Sequence, residues 1–397
     1  MFNFKFDYDC INLFLLGVMY YAGRNISRAR SYWKYASLCA IVFIFVEGVR
    51  YARGVDYMHY VDIYNYDLEE NQRLFTWINQ RLKDIGIEAV NSFMFYAVPF
   101  ILCGLRLMKE MKRYAFYMFP IFLICFISFH EAFIRQALAT SFVFLYIVVL
   151  NRIQTNVSCH KFKWMDFTYL LICIIVAYSI HSVTIIGLFV ITIIFVFVRN
   201  PFPWSITIPL LLIGKLYMAN HFDWSILNSL LNFMASQDEK LAGYAGNTDR
   251  WFSDEAMNDA YTRNISIQIL ETIADAVLLY LGAKVCKYVS REGVMIQSKS
   301  NDYSPSKSHL YISLYNVCVI GVFVFQTFYN LEIVRRVSYS WYLFWFVPLA
   351  MILYYRKDKE IFNKKDQYMM YAFVFWIGDY IRFLFVFKNE PLFIWDI

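Results

Sequence analysis

The stretch "FTYLLICIIVAYSIHSVTIIGLFVITIIFVFV" occupies residues 167–198 and carries no Asp, Glu, Lys or Arg. One membrane-spanning helix needs roughly 17–25 apolar residues, so this stretch is too long for a single span. His181 lies near its middle, and we divide the stretch there into two short helices. This division decides the topology, because a single span in its place would reverse the orientation of every later helix.

The composition of the chain indicates an integral membrane protein. Hydrophobic residues make up 59% of the 397 residues, charged residues only 17%, and the mean hydropathy is +0.43. Soluble domains average about half apolar and about a quarter charged. Because lipid offers no hydrogen bonds to the backbone, we expect an all-α helical bundle, with residues 1–397 forming one transmembrane domain.

Apolar runs separated by polar loops predict about twelve transmembrane helices. The predicted spans are 10–22, 35–49, 90–108, 114–129, 132–150, 167–180, 183–198, 206–220, 265–285, 310–329, 337–355 and 368–387. The first is interpreted as a retained helix because it has no small-residue cleavage site.

Loop charges set the expected orientation. Lys and Arg exceed acids in all odd-numbered loops, whereas the two long even-numbered loops are acidic. Cytoplasmic loops carry the positive excess, so the even loops and both termini are expected outside. The long outer loops follow helices 2 and 8, at about residues 50–89 and 221–263. The net charge of +6 is spread over several loops, which argues against nucleic-acid binding.

No cofactor is expected. The eight cysteines include no Cys-x-x-Cys pair, so neither a zinc site nor a disulfide framework is indicated. Adjacent acids such as Asp254 and Glu255 lack the spacing of a metal site.

This topology brings four polar segments to the outer face. They are "GVRYARGVDYMHYVDIYNY" (48–66), "EAFIRQALA" (131–139), "AYSIHSVT" (177–184) and "LEIVRRVSY" (331–339). Arg135 lies about one turn inside its helix, where an arginine costs roughly 2.5–3.5 kcal/mol on insertion scales. It either snorkels or pairs with Glu131 four residues earlier, or it clamps an anion, because guanidinium binds phosphate bidentately.

The other segments offer similar alternatives. His181 is either a hydrogen-bonded structural residue or a general base. Arg335 and Arg336 oppose the positive-inside trend, which favours a ligand or an acidic loop as their partner. If residues 50–66 form a helix, one face carries Arg50, Arg53 and Tyr57, and another carries Asp56, His59 and Tyr60. Rings beside carboxylates suit sugars, although an interfacial aromatic belt explains several of the tyrosines.

The string R-x-x-x-G-x-D-Y-x-x-Y, from Arg50 to Tyr60, resembles the signature of the EpsG-like group of Wzy-type bacterial polysaccharide polymerases. Further features similar to that family follow in the same order: "IRQALA" at 134–139, His181 before Ser182, and Arg336 shortly before Tyr339. Arg53 departs from the family, which often has an uncharged residue at this position.

The resemblance implies an enzyme of the bacterial inner (cytoplasmic) membrane that polymerises lipid-linked oligosaccharide repeat units at the outer face. The growing glycan would pass from undecaprenyl pyrophosphate to a sugar hydroxyl of the next unit. The implied partners are this lipid-linked oligosaccharide and membrane lipid, with a flippase and a chain-length regulator as further candidates.

This reaction requires cations for the leaving pyrophosphate and a base for the hydroxyl. The pyrophosphate candidates are Arg135 and Arg336, followed by Arg50 and Arg335. The candidate bases are Asp56 and His181, followed by His59, and Asp56 could instead stabilise positive charge on the sugar ring. The expected glycan contacts are Tyr57, Tyr60, Gln136 and Tyr339.

Three other functions share part of this pattern. An O-antigen ligase would use the same arginines and a large outer loop, with a different acceptor. A membrane acyltransferase needs a histidine near the cytoplasmic side, whereas His181 is expected outside. A flippase should show internal repeats, and none is found. The loop at 221–263 is interpreted either as a lid over the acceptor or as a solvated connector.

Overall fold

The computed structural model describes residues 4–28, 31–54, 56–66, 73–158, 163–218, 265–297, 306–329, 332–386 and 392–393. These residues are almost entirely helical, which confirms the predicted helical membrane class. Within these ranges, the only strands are the two-residue β1 (Arg50–Tyr51) and β2 (Leu392–Phe393), which pair antiparallel.

Sixteen α-helices are described. In chain order they are α1 (Phe4–Ser27), α2 (Tyr32–Val49), α3 (Tyr57–Tyr66), α4 (Arg73–Asp84), α5 (Ala89–Glu110), α6 (Ala115–Ala132), α7 (Ile134–Ser158), α8 (Trp164–Ile180), α9 (Thr184–Phe197), α10 (Trp204–Ile213), α11 (Ile265–Gln297), α12 (Ser306–Thr327), α13 (Glu332–Tyr342), α14 (Phe346–Tyr355), α15 (Lys364–Met369) and α16 (Val374–Val386). A π-helical turn, Gly214–Met218, extends α10.

Among the described residues, seven segments are long and apolar enough to cross a membrane. They are Tyr32–Val49, Ala89–Glu110, Lys112–Ala132, Ile134–Asn156, Ile265–Arg291, Ser308–Thr327 and Arg335–Tyr355. Helices α8, α9 and α10 are apolar but shorter. The protein is therefore a polytopic helical membrane protein, while the count of twelve spans stays a prediction. The predicted outer loop at 50–89 contains α3 and α4, and the one at 221–263 lies outside the described residues.

The apolar stretch at 167–198 divides at His181, as the sequence predicts. Helix α8 ends at Ile180, His181 is extended, and α9 begins at Thr184. The turn is closed by the backbone N–H of Thr184, which donates to the carbonyl of His181 at 3.0 Å. Helix α9 then packs on α13, where Trp341 Nε1 donates to the Gly187 carbonyl at 3.2 Å. The helix break thus places His181 near the arginine-bearing helix.

The expectation that residues 50–66 form one helix is wrong for its first part. Helix α3 begins only at Tyr57, and the turn before it contains two left-handed residues, Ala52 (φ +51°) and Gly54 (φ +103°). A Cβ on Gly54 would collide with the carbonyl oxygen of Glu131. Glycine therefore lets the turn pack directly against the backbone at the end of α6.

Replacing Gly54 with alanine should destabilise the protein by about 2–5 kcal/mol, because backbone strain and a clash with Glu131 add together. Gly86 is a matched control, since it also has a positive φ (+78°) but a Cβ added there would meet no described atom within 4 Å. Gly86→Ala should cost only about 1–2 kcal/mol. Denaturant unfolding of the purified protein in detergent measures the loss of unfolding free energy for each variant. Equal losses would contradict the close contact between Gly54 and the Glu131 carbonyl.

Candidate active site

A buried ion pair fastens the turn before α3 to the rest of the protein. Arg53 Nε donates to Glu131 Oε2 at 2.7 Å, and Arg53 Nη2 donates to the Phe383 carbonyl at 3.1 Å. The Tyr8 hydroxyl donates to the other oxygen of Glu131, and the Tyr8 ring centroid lies 3.7 Å from the Arg53 guanidinium carbon. Arg53, Glu131 and Tyr8 are all buried. This ion pair links α1, the end of α6 and α16 through one arginine.

Arg50 belongs to an adjoining buried cluster. Its Nη1 donates to the Arg53 carbonyl at 2.6 Å, and its Nε lies 3.0 Å from Glu47 Oε2. The same Glu47 oxygen lies 2.8 Å from His130 Nδ1. Arg50 is 1% exposed, and the Tyr57 hydroxyl donates to its carbonyl at 3.1 Å. The structure therefore places Arg50 and Tyr57 beneath the surface, among protein groups.

The break between α6 and α7 separates two residues that the sequence suggested as a pair. Phe133 leaves the helical conformation (φ −125°, ψ 61°), so Glu131 ends one helix and Arg135 begins the next. Because their helix is not continuous, the i, i+4 geometry expected for Glu131 and Arg135 is absent, and Glu131 is hydrogen-bonded by Arg53 and Tyr8.

Arg135 meets α3 at Tyr60. The guanidinium carbon of Arg135 lies 5.7 Å from the Tyr60 ring centroid, within the range of a cation–π contact. Burial raises the pKa of Tyr60, Arg135 lowers it, and the nearby Asp56 raises it. Asp56 is half-buried and His59 is exposed, with the His59 ring 6.1 Å from that of Tyr60. Asp56 and His59 thus lie towards the surface side of Tyr60.

Helix α13 is attached to the start of α7. Gln136 Nε2 donates to the Arg336 carbonyl at 2.6 Å. The Arg336 guanidinium carbon lies 5.0 Å from the Phe133 ring centroid, and that ring lies 5.6 Å from the Tyr339 ring. Gln136 is buried, and Arg336 and Tyr339 are half-buried. These contacts place the Arg336 guanidinium beside the α6–α7 break.

His181 lies close to both guanidiniums. Burial lowers the pKa of His181 to about 4, and Arg135 and Arg336 add to this effect because a protonated ring would be repelled. Its Nδ1 is buried and makes no hydrogen bond among the described residues. The two guanidiniums can bind a phosphate group. The neutral imidazole beside them can accept a proton from a hydroxyl.

The four polar segments predicted at one membrane face therefore meet in the structure. Tyr60, Arg135, His181 and Arg336 connect them, and we name these four residues the anion site. Arg335 points elsewhere: its guanidinium carbon lies 5.7 Å from the Phe325 ring and 5.6 Å from the Tyr329 ring. The catalytic and binding roles of all these residues stay predictions.

Sequence reasoning missed the residues that support the anion site. Glu47 and His130 are buried in apolar helices, and Tyr8 lies in α1. One sequence signal could have identified them: an ionisable side chain inside a membrane span usually faces a partner. That signal applied to Glu47 and His130 as well as to Arg135.

The family comparison agrees with the resemblance drawn from the ordered motifs. The sequence model of the EpsG family matches residues 33–393, which is nearly the whole chain and includes every segment of the candidate site. No curated protein and no solved structure matches the chain.

Removing one member of the Arg53–Glu131 pair should cost about 3–5 kcal/mol of unfolding free energy, because the remaining charge is buried without its partner. We expect Arg53→Met and Glu131→Met each to show this loss and the double variant to recover much of it. Arg81 and Asp84 form an exposed pair of similar length (2.9 Å), so Arg81→Met is the control. Arg81→Met should lower the free energy of unfolding by less than about 1 kcal/mol. If the losses of Arg53→Met and Glu131→Met simply add in the double variant, the two side chains do not stabilise each other and the prediction is wrong.

Proposed function

The chain belongs to the EpsG family, a family of Wzy-like polysaccharide polymerases, and we propose that it joins lipid-linked oligosaccharide repeat units in the bacterial inner (cytoplasmic) membrane. The growing glycan is transferred from undecaprenyl pyrophosphate to a sugar hydroxyl of the next unit, at the outer face. The single observation that carries this proposal is the hydrogen bond from Gln136 to the Arg336 carbonyl, which joins the helix that bears Arg135 to the helix that bears Arg336.

The two arginines suit a pyrophosphate leaving group. In the transfer, the bond between the anomeric carbon and pyrophosphate breaks, and the leaving oxygen gains negative charge. Guanidiniums held in place before the reaction stabilise that charge without reorganisation. The Arg135 guanidinium packs against the Tyr60 ring, and the hydrogen bond from Gln136 fixes the backbone of Arg336 to α7. Because these groups supply the positive charge, we propose a metal-independent transfer.

His181 is the proposed base. A neutral imidazole near pH 7 can accept the proton of the acceptor hydroxyl as its oxygen bonds to the anomeric carbon. Asp56, close to Tyr60 and half-buried, is placed to stabilise positive charge on the sugar ring. Exposed His59 becomes a glycan contact in this proposal, together with Tyr60, Gln136 and Tyr339.

For Arg50 and Tyr57 we propose a structural role in place of the pyrophosphate and glycan contacts expected from the sequence. Both are buried, and Arg50 is engaged by Glu47 and the Arg53 carbonyl. We propose that they position the turn before α3, whereas Arg135 and Arg336 bind pyrophosphate. The twelve-span topology, the basic cytoplasmic loops, and a flippase and chain-length regulator as partners belong to the same proposal.

A ligase would need the same pyrophosphate site, so the choice of a polymerase rests on the family membership. Product length separates the two functions, because a ligase attaches existing chains whereas a polymerase determines how many units they contain. The same measurement detects a flippase, because its loss removes both the long chains and the single units from the cell surface.

Arg135→Ala should reduce long-chain surface polysaccharide about 100-fold or more, since removing one donor to a developing charge costs about 10²–10³ in kcat. The measurement is a gel of surface polysaccharide from a strain lacking this gene and complemented with each variant, with membrane protein level checked. Arg106→Ala is the control, because Arg106 is another half-buried helical arginine, paired with Glu110.

Single units that remain attached in the Arg135→Ala strain would support the proposal. An intact ladder with altered decoration after deletion would indicate an acyltransferase. Loss of single units as well would indicate transport or ligation, and the polymerase proposal would fail.

The imidazole of His181 should stay neutral well below its ordinary pKa of 6.5, titrating at about 4 in the ligand-free protein. Bound undecaprenyl pyrophosphate should raise this pKa, because the anion offsets the guanidiniums and favours the protonated ring. Histidine NMR, assigned with His181→Gln, measures both values. Arg336→Gln should also raise the pKa, and a pKa near 6.5 without ligand would contradict the site geometry.

A further inference from the structure

Arg335 and Arg336 are adjacent on α13 but contact two different groups of residues. Successive helical side chains are rotated by about 100° at 3.6 residues per turn. Arg336 lies over Phe133 in the anion site, whereas Arg335 lies over Phe325 and Tyr329 at the end of α12. One turn of α13 thus contacts two separate groups of residues.

A second cation, Lys215, lies beside Arg335. Lys215 Nζ lies 3.5 Å from the Tyr329 ring centroid, so Lys215 and Arg335 both flank this ring. Lys215 sits in the π-helical turn after α10, a kind of irregularity that is frequent at functional sites. Arg335 Nε is buried and makes no hydrogen bond among the described residues. Two neighbouring cations repel each other, and an anion that contacts both removes that repulsion.

Acidic groups near Lys215 are partly occupied by other partners. Glu271 and Asp275 of α11 both lie near the ammonium group, and Gln268 Oε1 accepts a hydrogen bond from it at 3.1 Å. Asp275 is fully buried, and its oxygens accept from Gln326 Nε2 at 2.8 Å and from the Tyr342 hydroxyl at 3.5 Å. Glu271 and Asp275 belong to α11, whereas Lys215 and Arg335 are brought together at Tyr329, just after the end of α12.

The proposed polymerisation brings together two lipid pyrophosphates. Resting on that function, we propose that Lys215 and Arg335 bind the pyrophosphate of the acceptor unit, while Arg135 and Arg336 bind that of the donor chain. The acceptor hydroxyl oxygen bonds to the donor anomeric carbon, the donor pyrophosphate leaves with the electron pair, and the proton passes to His181. The acceptor pyrophosphate keeps its bond to sugar, so its cations bind without taking part in the chemistry. Helix α13 sets the spacing of the two pyrophosphates.

The number of bound lipids tests this assignment. Purified protein in lipid nanodiscs is titrated with undecaprenyl pyrophosphate, and native mass spectrometry counts the molecules retained. Wild type should bind two, and Lys215→Gln, Arg335→Gln and Arg135→Gln should each bind one. Lys215→Arg keeps the charge and should bind two. Lys109→Gln is the matched control, because Lys109 also lies over an aromatic ring (5.4 Å from Trp33) and should still bind two.

Kinetics separate the two sites further. With polymer-linked lipid as donor and labelled single units as acceptor, Lys215→Gln should raise the acceptor KM about tenfold with kcat nearly unchanged. Arg135→Gln should instead lower kcat. A wild-type stoichiometry of one, or two lipids bound by both Lys215→Gln and Arg335→Gln, would overturn the second site while leaving the polymerase proposal intact. No binding and no transfer by wild type would overturn the polymerase proposal itself.

Discussion

The buried ion pair between Arg53 and Glu131 is the interaction on which the candidate site depends. A charge inside an apolar bundle must be paired and hydrogen-bonded, and here Tyr8 and the Phe383 carbonyl complete the shell around the pair. This requirement holds the turn before α3 against the end of α6. Tyr60 of α3 consequently reaches Arg135, and the α6–α7 break stays beside α13.

The site forms where the helices are interrupted. The chain leaves the helical conformation at Phe133 and again at His181, and both interruptions lie beside Arg336. Within a membrane, irregular backbone is tolerated where it is buried in protein or lines a cavity. The interrupted helices thus bring polar groups of α7, α9 and α13 to one part of the bundle.

Electrostatics prepare the site for an anion. Burial lowers the pKa of His181, and Arg135 and Arg336 add to this effect, so the imidazole is neutral near pH 7. Binding of that anion would offset the guanidiniums and strengthen the imidazole as a base, so the ligand itself would prepare the proton acceptor. Under our proposal, Arg335 and Lys215 bind a second anion, and α13 carries one arginine of each pair.

The sequence by itself determined the helical membrane class and the break at His181, and it predicted that four distant segments lie at one membrane face. These follow from hydrophobic patterns and loop charges, which are local properties of the chain. Only the tertiary structure decided which side chains each arginine lies beside. Arg50 and Arg336 both lie beside apolar segments, yet Glu47 and His130 enclose Arg50 while Arg336 lies near His181. The partners of Arg53 lie 78 and 330 residues away along the chain, and a local pattern carries no information about contacts at such separations.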